Sequence, residues 1–264
     1  MEEKVVTPTL AELISLRDRV TVVTGAGSGI GAAIARRLAE AGASVVVADI
    51  DEGAAHRLAD ALGPRGVPCT VDVTSEHSVA QLVARVGSQF GCLDAWINNA
   101  GVYPRDDLLT MPEARWRHVL DVNLSGTFLC SRAAAQLMID SGRGGAIVNL
   151  ASLSAYRAPS ANMTHYVASK AGVVGLTRSL AVELGPYGIR VVAVAPAFVP
   201  TDNAVALLAE DGIDDPVPSF AARAPLRRVL DPDDVARVVF FAVSGLAAMV
   251  SGSTVLVDGG QLSC

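Results

Sequence analysis

Tyr166 and Lys170, in the stretch "HYVASK", stand four positions apart. On a helix that spacing puts a phenol and an ammonium on one face, a turn from each other. A free phenol titrates near pKa ~10, too high for a base at neutral pH, and an ammonium one helical turn away favours phenolate. The pair therefore has the makings of a proton-transfer site. A second group lies near the start of the chain, in "TGAGSGIG", where Gly25, Gly29 and Gly31 follow a Val-rich run and precede an amphipathic one. Glycines at such a junction let the backbone turn tightly and approach a pyrophosphate, whose charge the N–H groups and dipole of a helix start favour. No Gly-Lys-Ser/Thr follows, so this is not a Walker loop.

Asp49 comes 18 residues after Gly31, at the end of "SVVVAD". A carboxylate there can accept hydrogen bonds from adenosine ribose hydroxyls and would repel a 2′-phosphate. Positions 28 and 50 are Ser28 and Ile50, so neither offers a cation to hold that phosphate, and NAD is favoured over NADP. Asp72, in "VDVTS", is open to two readings, an adenine contact or a turn residue before a helix cap. Asp51, in "DIDEG", reads as a helix cap.

The elements that must position these groups are visible as short Val/Ile-rich runs alternating with amphipathic stretches: "RVTVVT", "SVVVAD", "VPCTVD", "LDAWIN", "AIVNLAS", "IRVVAVAP" and "STVLVDG". Runs apolar at consecutive positions suit parallel strands buried on both faces, with crossover helices between them. The expected fold is α/β: one Rossmann-type, doubly wound, seven-stranded parallel sheet with helices on both faces. In such a sheet ligands bind beyond the carboxyl ends of the strands. Those ends carry Thr24–Gly31, Asp49, Asp72, Asn98–Gly101, Ser152 and Ala195–Thr201. No linker divides the chain, so residues 16–264 read as one domain behind an arm at 1–15. A Pro-bearing insertion at about 198–230 reads as a partly helical substrate lid.

Composition excludes several classes. Basic and acidic residues are scattered, with a net charge of −6 and no Lys/Arg block, so nucleic acid is not an expected partner. No apolar run reaches the roughly 20 residues of a membrane span, and the acidic start lacks a secretory signal, so a cytoplasmic location is expected. Cys69, Cys92, Cys130 and Cys264 have no metal-ligand or disulfide spacing. Of the four histidines, His165 alone adjoins a candidate site.

"TGAGSGIG", "NNAG", Asn123 in "DVNLSG", Ser152 in "IVNLAS", "YVASK", "PAFVPT" and the closing "DGG" occur in order. Over roughly residues 16–261 the chain resembles the short-chain dehydrogenase/reductase family. That resemblance implies hydride transfer between a nicotinamide cofactor and an alcohol or carbonyl, in a homotetramer or homodimer. It implies that Tyr166 is the general acid/base and that Ser152 hydrogen-bonds the reacting oxygen. Asn123 would hold a water in a relay to Lys170, which would also bind ribose hydroxyls. Asn99, Ala100 and Gly101 would line the ribose and the middle of the dinucleotide, with Asp72 and Val73 near the adenine and Ile30 after the pyrophosphate turn. Pro196, Phe198, Val199 and Thr201 would border the nicotinamide. Asn98 and Asn149 are expected to be structural.

Two positions depart from the family pattern. Pro196–Ala197 replaces Pro-Gly, bringing a methyl group toward the nicotinamide, and the Ser152-to-Tyr166 spacing of 14 leaves Ser154 as a rival serine. Substrate choice is expected to lie in residues 102–107, 154–163 and 198–230, which offer Tyr103, Tyr156, Met163, Phe198, Val199, Leu207, Leu208 and Phe220. That lining suits an apolar cyclic, terpenoid, steroid-like or polyketide-derived secondary alcohol or its ketone. Arg157 is the only cation expected nearby. A carbonyl or 3-oxoacyl reductase, and a non-catalytic dinucleotide-binding protein, stand as alternatives.

Overall fold

The computed structural model describes residues 7–158, 160–210 and 212–264. Seven parallel strands, β1 (Val20–Thr24), β2 (Ser44–Asp49), β3 (Gly66–Thr70), β4 (Ala95–Asn98), β5 (Gly145–Leu150), β6 (Ile189–Pro196) and β7 (Thr254–Val257), form one sheet in the order β3-β2-β1-β4-β5-β6-β7. Ten α-helices accompany them among the described residues: α1 (Leu10–Ile14), α2 (Gly29–Glu40), α3 (Glu52–Leu62), α4 (Glu76–Phe90), α5 (Glu113–Leu120), α6 (Gly126–Ser141), α7 (Thr164–Leu184), α8 (Asp202–Glu210), α9 (Val217–Arg223) and α10 (Pro232–Val243). The fold is the expected Rossmann-type sheet.

Alternate residues of each strand point to opposite faces, and the Val-rich runs supply both. Val23, Val45, Val47, Val148 and Val192 meet Ile34 and Leu38 of α2, Leu58 of α3 and Val239 of α10. Their strand neighbours Val22, Val46, Ile147 and Val191 meet Leu82 of α4, Met138 of α6 and Leu180 of α7 on the other face. Burying both faces is why these runs carry no polar alternation. The chain builds outward from β1 to β3, then crosses back to β4, so the crevice between the ends of β1 and β4 is the topological switch point.

Three local features prepare the site. Residues Asp121–Ser125 form a π turn joining α5 to α6, with the Gly126 N–H donating to the Asp121 carbonyl. It holds Asn123 fully buried. Asp51 caps α3 by accepting from the Ala54 N–H, as expected. The 198–230 insertion is partly helical, carrying α8 and α9. Of the arm expected at 1–15, residues 1–6 lie outside the described residues. The rest holds α1, closed by a capping box between Thr9 and Glu12. Among the described residues no helix is long and apolar enough to cross a membrane.

Candidate active site

A cavity of about 1210 Å³ opens beyond the carboxyl ends of the strands. It is bordered by every residue picked from the sequence for the cofactor, from Gly25 and Asp49 to Thr201, and by Ser152, Tyr166 and Lys170. Of the residues picked for catalysis, Asn123, fully buried, is the one that does not border it.

At the switch point the glycine turn is packed down on the segment after β4. A Cβ on Gly31 would stand 2.1 Å from the Gly25 carbonyl oxygen, and one on Gly25, at φ +61°, 2.8 Å from Ala100 Cα. Neither position can carry a side chain, because the atoms met are backbone. The Asn99 amide donates to the Thr24 and Gly25 carbonyls, and the Thr24 hydroxyl accepts from the Asn99 and Ala100 N–H groups. Ser28 sits at the N-cap of α2 with its hydroxyl making no capping bond. The first N–H groups of α2 lack intrahelical partners and edge the cleft beside it.

Asp49 accepts from the Gly27 N–H at 2.8 Å and from the Asp51 N–H at 3.0 Å. Its carboxylate thus shapes the glycine turn and also borders the cavity. Asp72 accepts from the Thr74 N–H and hydroxyl, which is the turn reading, at a place that faces the cavity as well. Asn98 and Asn149 are structural. Asn98 donates to Ser131 and Asn149 while accepting from Trp96, and Asn149 donates to Thr177, all buried.

Ser152 follows β5, and its hydroxyl accepts from the Ser154 N–H at 3.1 Å. Tyr166 is the third residue of α7, with Lys170 one turn later. Burial pushes the Tyr166 phenol above its ordinary value; a hydrogen bond with the Ser152 side chain pulls it back, and the neighbouring Tyr103 phenol adds to the rise. Ser152 thus stands beside the phenol, while Ser154 borders the same cavity. The Lys170 ammonium group sits 5.8 Å from the Tyr166 ring centroid and donates to the Leu150 carbonyl at 2.7 Å. Burial lowers its pKa to about 8. For the phenol, desolvation outweighs the influences that would lower it.

The Asn123 side chain clasps Val102, accepting from its N–H and donating to its carbonyl, and also donates to Ser169. It thereby fixes the start of the 102–107 loop. Tyr103 from that loop meets the Tyr166 ring edge-on at 6.3 Å, and burial pushes its phenol up while Thr201 pulls it back. Within the 198–230 insertion, Phe198 stacks on Phe220 at 4.0 Å between centroids, with the Arg223 guanidinium 4.8 Å from the Phe220 ring.

The lining agrees with the three expected loops except at Tyr156, which is exposed and does not border the cavity. Arg157 does, but so do Arg105 and Arg223, so it is not the only cation near the site. His118, Ile213 and Gln261 also border it. Gln261 lies beyond β7, and no spacing in the sequence ties it to the other loops. Ala197 lines the cavity while packing against the apolar core, which its methyl group extends.

Comparison with known proteins places this geometry. The family model described as "Enoyl-(Acyl carrier protein) reductase" matches residues 25–261. A cis-4-hydroxycyclohexanecarboxylate dehydrogenase of Sinomonas cyclohexanicum is 44% identical over 92% of this chain and 96% of its own. The crystal structure of a short-chain type dehydrogenase/reductase from Mycobacterium marinum superposes with a TM-score of 0.90 at 33% identity, covering 96% and 99% of the two chains. A 3-ketoacyl-(acyl-carrier-protein) reductase from Brucella melitensis, solved with NADH, gives a TM-score of 0.86 at 32% identity, covering 94% and 100%.

Proposed function

The chain belongs to the short-chain dehydrogenase/reductase family, and from that premise we propose that it oxidises an apolar cyclic secondary alcohol to its ketone with NAD. The observation that carries this reading is the meeting of Ser152 and Tyr166 at one end of a cleft whose other end is edged by Asp49. The residues fit a dinucleotide. The glycine turn brings bare backbone to the cleft, the Ser28 hydroxyl is uncommitted, and the 25–31, 49–50 and 72–73 segments contain no Lys or Arg that would hold a 2′-phosphate.

Bound NAD would supply the hydride acceptor. Ser152 holds the substrate oxygen by a hydrogen bond, and Tyr166 takes the hydroxyl proton as the carbonyl forms. An acid/base held in place in this way contributes roughly 10²–10⁴-fold. Lys170, which borders the cleft, would hold ribose hydroxyls, and its charge would favour the phenolate. Asn123 would hold a water in a relay to Lys170. The ring substrate is favoured by the aromatic and aliphatic lid and by the ring alcohol named for the Sinomonas relative. The four free cysteines suit a reducing cytoplasm. Apolar residues exposed on α7 and β7, such as Val182 and Leu256, suit assembly into a homo-oligomer.

A panel of cyclohexanols and fused-ring alcohols, assayed with NAD and with NADP, tests the reading. NAD should be reduced by at least one alcohol and NADP poorly. Tyr166→Phe should lower turnover by about 10²–10⁴-fold while NADH binding persists. Turnover retained by that variant, or a preference for NADP, would contradict the reading.

A further inference from the structure

His165 has no part in the chemistry just described, yet it is a fully buried titratable side chain next to Tyr166. Its surroundings define one protonation state. Nδ1 accepts the Tyr166 backbone N–H at 2.9 Å, so this nitrogen carries no proton. Nε2 must then carry it, and it faces Asp106 Oδ2 at 3.1 Å as a donor.

The first bond supplies a missing cap. The first four N–H groups of a helix have no intrahelical acceptor, and α7 begins after Met163, whose side chain makes no capping bond. The second bond reaches the 102–107 loop, where the Asp106 N–H donates to the Asn162 carbonyl and the carboxylate also faces Arg115 at 3.6 Å. This loop is held at Val102 by Asn123 and at Asp106 by His165. Between the two anchors Tyr103 leans on the Tyr166 ring.

We propose that His165 is a positioning residue with two separable duties: its Nδ1 fixes the backbone of Tyr166, and its Nε2–H, through Asp106, sets the Val102–Asp107 wall of the substrate pocket. The proposal rests on Tyr166 being the acid/base. The Nδ1 duty bears on where the phenol sits at the moment of proton transfer, and so on kcat. The Nε2 duty bears on the shape of the pocket that receives the alcohol, and so on KM.

Two isosteric variants separate them. His165→Asn keeps an acceptor close to the Nδ1 position and loses the reach to Asp106. His165→Gln keeps a donor close to Nε2 and loses the cap. With the fastest alcohol of the panel and saturating NAD, His165→Asn should raise KM about tenfold with kcat within about threefold, and His165→Gln should do the converse. Asp106→Ala should reproduce the His165→Asn pattern. Asp106→Asn, which still accepts from Nε2–H, should restore KM to within about threefold.

NADH binding, followed by fluorescence, should be unchanged in all four, which separates these effects from unfolding. Unchanged constants in both His165 variants, equal losses of kcat and KM in both, altered NADH binding, or no rescue by Asp106→Asn would overturn the proposal. Turnover by Tyr166→Phe would instead remove the acid/base reading beneath it; an inactive Tyr166→Phe beside indifferent His165 variants overturns the positioning role alone.

Discussion

The two ends of the cleft are built differently. Around the ends of β1 to β4, Asp49, Asp72 and Asn99 each make hydrogen bonds to nearby backbone, and the glycine turn that Asp49 and Asn99 brace has no room for a Cβ at Gly25 or Gly31. Around Tyr166 the walls are side chains resting on other side chains: Tyr103 on Tyr166 and Phe198 on Phe220 from separate segments, and Arg223 over Phe220 within α9. The first end is preorganised by short-range backbone geometry and suits a ligand that never changes. The second can be re-lined by single substitutions without disturbing the sheet, which is how one scaffold serves many substrates.

If that contrast holds, substitutions at the first end should damage the fold or cofactor binding, and those at the second should alter only the substrate constants. The largest effect is expected from Gly31→Ala. Its methyl group would press on the Gly25 carbonyl, costing about 3–5 kcal/mol and lowering the unfolding midpoint by roughly 10 °C. A midpoint within about 2 °C of the parent would show that the turn can give.

Asp49→Ala comes next. It removes the negative charge and the acceptor of the Gly27 N–H together, and should narrow the preference for NADH over NADPH in fluorescence titrations by about tenfold. An unchanged ratio would mean that the carboxylate serves the turn alone.

Phe220→Ala removes one ring of the stacked pair, worth about 0.5–1.5 kcal/mol, so KM for the alcohol should rise a few-fold while NADH affinity stays put. Loss of NADH affinity would merge the two ends.

The smallest effect is a pH slope. Lys170 has a folded pKa of about 8, below its ordinary 10.5, because burial disfavours its charge. Between those values the unfolded chain binds more protons, so stability must rise with pH. Tyr166, raised by the same burial, works in the opposite direction above its ordinary value of 10. The clean window is pH 8 to 10, where the cofactor-free protein should gain stability that a Lys170→Met variant does not. Parallel slopes would mean that the amine stays charged.

The same contrast explains what could be read in the sequence. The seven strands were legible because both faces of each are buried, leaving unbroken Val/Ile runs. The glycine turn, Asp49 and the Tyr166–Lys170 spacing were legible because each is local. The direction of Lys170 was not. Its ammonium group turns to the carbonyl of Leu150, twenty positions earlier, and only the packing of α7 against β5 decides that. Tyr156 was expected in the pocket from its loop and points away from it, while Gln261 enters from beyond β7. For His165 the sequence shows only that it adjoins a candidate site: its partner Asp106 lies in another loop, and no motif joins the two.

The π turn at Asp121–Ser125 has a consequence for how the chain tolerates insertions and deletions. A π turn holds one residue more than an α turn, so α5 and α6 are out of phase by about 100° although they run on without a break. Val119 before it and Cys130 after it are both fully buried. Removing a single residue there would leave a longer, more regular helix and rotate Asn123 away from Val102. Helix content would survive such a deletion, and the anchor of the substrate loop would not.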